Sequence, residues 1–207
     1  MKRSFVISDW LYRLSHTIRR NRLAVILYAL ICLLFLVIGI AVGIGVSDKR
    51  VFILNNGAMI FKFLRGDMGI VAYFFLDLLL TSVYCIFCAS MFFNRPLAFL
   101  SIVPCAYRSY VLGMNVSIII VVYSVSAIPM LFVLFIPICL MEIAVLCLLS
   151  FRCFAFVSLN GGCYPSKADI REYYSCVLQY IMIIAVFTLV KALTLALFGS
   201  ALIGIVN

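Results

Sequence analysis

The sequence predicts an all-α fold, a polytopic transmembrane helical bundle of about five spans. Three observations carry that prediction. Of 207 residues, 67% are hydrophobic and only 11% charged, where a soluble domain is about half apolar and about a quarter charged. The apolar residues gather into runs long enough to cross a hydrocarbon core, which takes about 20 helical residues. Basic residues crowd the segments that flank those runs, where they orient membrane proteins. A globule of this composition would have too little polar surface to present to water, whereas lipid solvates an apolar exterior. The length fits one domain.

Residues 1–22 read as a basic cytoplasmic segment, and residues 23–204 as a single transmembrane helical domain. The first run, 23–46, contains no charge and exceeds the roughly 7–15-residue core of a signal peptide. The second, 69–93, is broken only by Asp77. The third, 97–123, contains Pro104 and Arg108. The fourth, 128–157, contains Pro129, Pro137, Glu142 and Arg152, and the fifth, 177–204, contains Lys191. A run of thirty helical residues would reach about 45 Å against a core of about 30 Å. The third and fourth runs are therefore expected to be broken or re-entrant, with breaks at Pro104 and Pro137, because proline removes an i→i−4 hydrogen bond. Carbonyls freed by such a break must face protein or a wet cavity.

Orientation follows from the basic residues. With the N-terminus in the cytoplasm, ten of the sixteen fall inside, four fall outside, and Arg108 and Lys191 lie within spans. The positive-inside rule thus places the N-terminus in the cytoplasm and Asn207 outside. Residues 7–18 set Ile7, Trp10, Leu11, Leu14 and Ile18 at helical spacing opposite arginines, a basic amphipathic helix on the cytoplasmic leaflet. Residues 47–68 form a long outer loop, too apolar to be fully solvated, in which Phe52, Phe61 and Phe63 are the candidate partner-docking residues. The turn-rich stretch 158–175 reads as a cytoplasmic connector, with Ser166 capping a short helix over 168–174.

The charges at membrane depth are the most informative feature. Each costs at least roughly 2.5–3.5 kcal/mol to hold there alone. Arg108, Glu142 and Lys191 fall near the midpoints of their runs, and Asp77 about four residues from its own. Two acids and two bases sum to zero, which predicts a buried cluster in which Glu142 bridges Arg108 and Lys191 with Asp77 nearby. Asp77, Thr81, Tyr84 and Cys88 recur along one helical stripe, and Thr188, Lys191 and Thr194 along another; both stripes should face protein. Three roles fit the cluster: ties that fix packing, a polar cavity for an ion, proton or small solute, or a switch whose pairing changes when a partner docks.

The net charge of +9 belongs to the flanks of the apolar runs. No basic stripe interleaved with exposed aromatics accompanies it, so the expected partners are membrane lipids and proteins, and no nucleic acid. The nine cysteines lie mostly inside apolar runs, where a free thiol acts as a small hydrophobe. Cys85-x-x-Cys88 lacks the βαβ setting of a redox motif. His16 is the single histidine and no Cys/His cluster has zinc-site spacing, so neither a metal nor another cofactor is expected. No catalytic residues are expected either: no Cys–His pair can form at depth, and neither H-E-x-x-H nor G-x-S-x-G is present.

From about Leu23 to Leu202 the chain resembles the stage II sporulation protein M family. The stretch "AYRSYVLGMNVSIII" is similar to that family's lysine-glycine-aromatic-Val-Leu-Gly segment, with Arg108 at the basic position, Ser109 replacing a glycine, and Gly113 at the glycine position. "IPICLMEIAVLCLLSFR" is similar to its proline–apolar–Glu segment, which puts Glu142 on the acidic position and Pro137 near the proline-histidine turn, without the histidine. "TLVKALTLAL" carries Lys191 where the family has an acid. The resemblance implies a non-enzymatic membrane scaffold. It would recruit two cell-wall hydrolases, stage II sporulation proteins D and P, whose peptidoglycan cleavage drives membrane migration during forespore engulfment. A transporter or channel subunit using the midplane charges is the alternative reading.

Overall fold

The computed structural model describes residues 19, 22–45, 68–91, 95–123, 131, 136–159 and 166–206. No strand occurs among them. The helices are α1 (Arg22–Gly45), α2 (Ile70–Ser90), α3 (Arg95–Leu100), α4 (Val103–Tyr123), α5 (Ile136–Leu159) and α6 (Lys167–Val206). Five candidate spans are long and apolar enough to cross a membrane, one of them, Leu97–Val121, made of α3 and α4 together. The amphipathic segment 7–18 and the loop 47–67 with Phe52, Phe61 and Phe63 lie outside the described residues.

The third run holds a two-residue turn at Ser101-Ile102. Pro104 explains its place. Proline has no N–H for the carbonyl four residues back, but is tolerated in the first turn of a helix, and here it stands second in α4. The turn frees carbonyls at membrane depth, and side chains satisfy them. Ser101 Oγ donates to the Ala98 carbonyl at 2.6 Å, Ser150 Oγ to the Ser101 carbonyl at 2.7 Å, and the Cys88 thiol to that same oxygen at 3.2 Å. Cys88, Ser101 and Ser150 are wholly buried.

In the fourth run α5 begins at Ile136 with Pro137 second, a position where a missing N–H is tolerated. Leu131 aside, residues 124–135 lie outside the described residues, and the break expected near Pro137 falls at their edge. The short helix expected at 168–174 is not separate: it is the first turns of α6, a 40-residue helix and about 60 Å of continuous rod. Ser166 does cap it. Its Oγ accepts from the Asp169 N–H at 3.2 Å while the Asp169 carboxylate accepts from the Ser166 N–H at 3.1 Å, a reciprocal capping box. With its first turn stabilised, nothing in 168–176 breaks the helix before the apolar span begins.

Between lipid-solvated helices the hydrophobic effect supplies little, and association relies on close packing and interhelical polar contacts. The chain uses both. The principal partner of α1 is α4, and they meet at glycines. A side chain at Gly39 would run into the Tyr110 carbonyl, one at Gly43 into Ser117 Oγ, and one at Gly113 into the Leu36 carbonyl. The outer face of α1 stays apolar and exposed, from Leu23 and Ile26 to Leu33, Leu34 and Val37. On the other side, α6 packs on α2 and α5, and Tyr173 Oη donates to the Ala89 carbonyl at 3.1 Å.

The glycine notch makes a direct prediction. Gly39→Val or Gly113→Val forces α1 away from α4 and lowers unfolding stability in detergent by about 1–3 kcal/mol, read from helicity during denaturant titration. An equivalent change at Gly45, where a side chain meets open space, leaves the transition in place.

Candidate functional site: a buried quartet of charges

Four spans each contribute one ionisable residue to a single point. Asp77 comes from α2, Arg108 from α4, Glu142 from α5 and Lys191 from α6. Asp77, Glu142 and Lys191 are buried, and the Arg108 side chain is 13% exposed. An isolated charge here would be prohibitive, so the geometry has to neutralise each one.

Arg108 Nη2 donates to Asp77 Oδ1 at 2.6 Å and to Thr81 Oγ1 at 2.8 Å. Thr81 Oγ1 in turn donates to the Asp77 backbone carbonyl at 2.7 Å, which holds the hydroxyl oxygen toward the Arg108 guanidinium. Lys191 Nζ donates to both Glu142 oxygens, at 3.0 and 2.9 Å, and also pairs with Asp77 Oδ2. Thr188 Oγ1 donates to Glu142 Oε1 at 3.1 Å. Arg108 reaches Glu142 Oε2 more loosely, at 3.8 Å. The Arg108 guanidinium lies 5.8 Å from the centre of the Tyr84 ring, on whose face a cation is favoured. Arg108 Nε has no hydrogen-bond partner among the described residues.

The structure therefore brings together all four residues singled out in the sequence, with a different internal order. Glu142 touches both bases, but its close partner is Lys191. Asp77 is the tighter ligand of Arg108 and itself bridges to Lys191. Thr81 and Thr188, on the same faces as Asp77 and Lys191, add to this order: Thr81 accepts from Arg108 and Thr188 donates to Glu142. Thr194 does not join them. It is half-buried and donates to the Val190 carbonyl of its own helix at 2.8 Å.

Sequence reasoning missed two sets of residues. Gly39 and Gly43 form a G-x-x-x-G pattern in an apolar run, a signal for close helix approach that was there to be read. The second set is a layer of thiols and hydroxyls near the α3–α4 turn. Cys105 Sγ lies 3.3 Å from Ser150 Oγ, which also lies 3.4 Å from Cys88 Sγ. Cys32 Sγ of α1 meets Cys147 Sγ of α5 at 3.3 Å. No sequence pattern announces these contacts, because they join residues from separate spans. Among the described residues no group of three or more His, Cys, Asp or Glu side chains could hold a metal ion. No family model, no curated protein and no solved structure matches the chain.

Removing one member of a buried pair strands the other. Glu142→Gln and Lys191→Met are each expected to cost about 3–5 kcal/mol of unfolding free energy, measured by denaturant titration in detergent. The double variant should cost less than the sum of the two, since neither partner is then left alone. Wild-type stability in both single variants would show that the quartet ties nothing together.

Proposed function

We propose that this chain is a non-enzymatic integral membrane scaffold, akin to the stage II sporulation protein M family, that recruits peptidoglycan-degrading partners during membrane migration around a forespore. The observation that carries this reading is the closure of the quartet on itself. Both carboxylates are occupied by Arg108 and Lys191, so a transported cation would have to displace one of the protein's own. Such a cluster serves as a strut that fixes four helices and leaves the bundle's outer surfaces to partners. The oriented chain, with a cytoplasmic N-terminus and Asn207 outside, would present the loop bearing Phe52, Phe61 and Phe63 to the wall side.

Capture from the membranes of the encoding organism tests this. With a tag on the full chain and brief crosslinking before solubilisation, membrane-anchored wall hydrolases should be recovered, and Phe52→Ala/Phe61→Ala/Phe63→Ala should reduce their yield several-fold without lowering the chain's own level. Recovery of lipids and general translocation machinery alone would reject the scaffold.

One observation favours a transporter or channel subunit instead: Arg108 is the partly exposed member of the quartet, and its Nε is unpaired among the described residues. On that reading, proteoliposomes show ion- or proton-driven flux that Glu142→Gln abolishes. Flux indistinguishable from empty liposomes under every gradient removes it.

A further inference from the structure

A groove on the outside of the bundle, with none of the four charged residues in its wall, brings two thiols to an apolar chamber. The groove has a volume of about 420 Å³ and runs between α1 and α5, with Val25, Leu36, Ile143 and Phe151 among its walls. This lies within the roughly 300–1,000 Å³ of ordinary small-molecule pockets. Leu33 and Leu140 also line it, and both are exposed on the exterior of the bundle, so the groove opens toward the acyl chains. Cys32 and Cys147 are part of the same wall. Their sulfurs are in contact at 3.3 Å although the residues are 115 positions apart. Cys32 is buried and Cys147 half-buried, so the α5 sulfur is the more accessible of the two.

We propose that Cys32 and Cys147 form a redox-active dithiol, and that the groove beside them seats a membrane-soluble two-electron acceptor of the quinone class. The chemistry selects the class. At this depth an oxidant must dissolve in hydrocarbon, and any charge left behind is costly. A quinone enters neutral and leaves neutral. Two S–H bonds break and one S–S bond forms; the two electrons and two protons released go to the quinone oxygens, giving the hydroquinone. The disulfide then joins α1 covalently to α5, two helices that otherwise touch only lightly. Cys105 also neighbours Cys147 and lies 3.3 Å from Ser150 Oγ, but it is not part of the groove wall; Cys88 donates to the Ser101 carbonyl.

The test uses the full chain, reduced and reconstituted in lipid nanodiscs without oxygen. Duroquinone serves as the probe, because its fully substituted ring resists thiol addition. The expected result is about one hydroquinone per chain, an intact mass lower by two hydrogens, and a Cys32–Cys147 disulfide found by peptide mapping. Cys32→Ser and Cys147→Ser should each slow the reaction at least about tenfold, with helicity by circular dichroism unchanged, while Cys176→Ser reacts as wild type. The proposal is overturned if duroquinone is reduced no faster than by the serine variants, if the disulfide maps to any other pair, or if the pair closes with hydrogen peroxide and not with the quinone.

Discussion

The bundle depends on one constraint: a formal charge cannot remain alone in hydrocarbon. Asp77, Arg108, Glu142 and Lys191 sit on four different helices, so satisfying that constraint fixes the four relative to one another. Two threonines extend the network, and each carboxylate takes two cations. The arrangement need not be more stable than an apolar core of the same volume. What it supplies is a single allowed arrangement, since rotating any one helix would expose an unpaired charge to lipid.

The remaining contacts work at shorter range and without charge. The glycines of α1 and α4 let two backbones approach, which maximises dispersion contact where burial from water is not available as a driving force. Around the Ser101-Ile102 turn, hydroxyls and a thiol donate to the Ala98 and Ser101 carbonyls. The apolar exterior of α1 needs no partner within the chain, because lipid serves as its solvent.

Much of this was legible in the residues. Run length and charge placement locate the first three spans to within about three residues, because about twenty apolar residues have few other fates. The neutral sum of four midplane charges pointed to the quartet for the same reason. The reach of Glu142 to both bases was legible too; that Asp77 also takes both was not, since it depends on helix rotation and not on depth alone. Pro137 alone does not say whether it starts a helix or breaks one, because only the chain before it decides. The boundary of α6 was misplaced because polar residues at 166–175 look like a loop, while the capping box and their helical propensity let them continue the span. The Cys32–Cys147 contact depends on tertiary packing, which no single span encodes.

The order of the charges along the chain has a consequence for biosynthesis. Acid, base, acid, base appear in successive charged helices, and hydrogen bonds join Asp77 to Arg108 and Glu142 to Lys191, each acid to the base emitted next, before Lys191 also closes on Asp77. A nascent chain that inserts from its N-terminus therefore never carries more than one uncompensated midplane carboxylate for long, and the midplane charges of each helical pair cancel. A ribosome that stalls before α6 would release a chain whose Glu142 has lost its nearest cation, a defect that membrane proteases could recognise by charge alone.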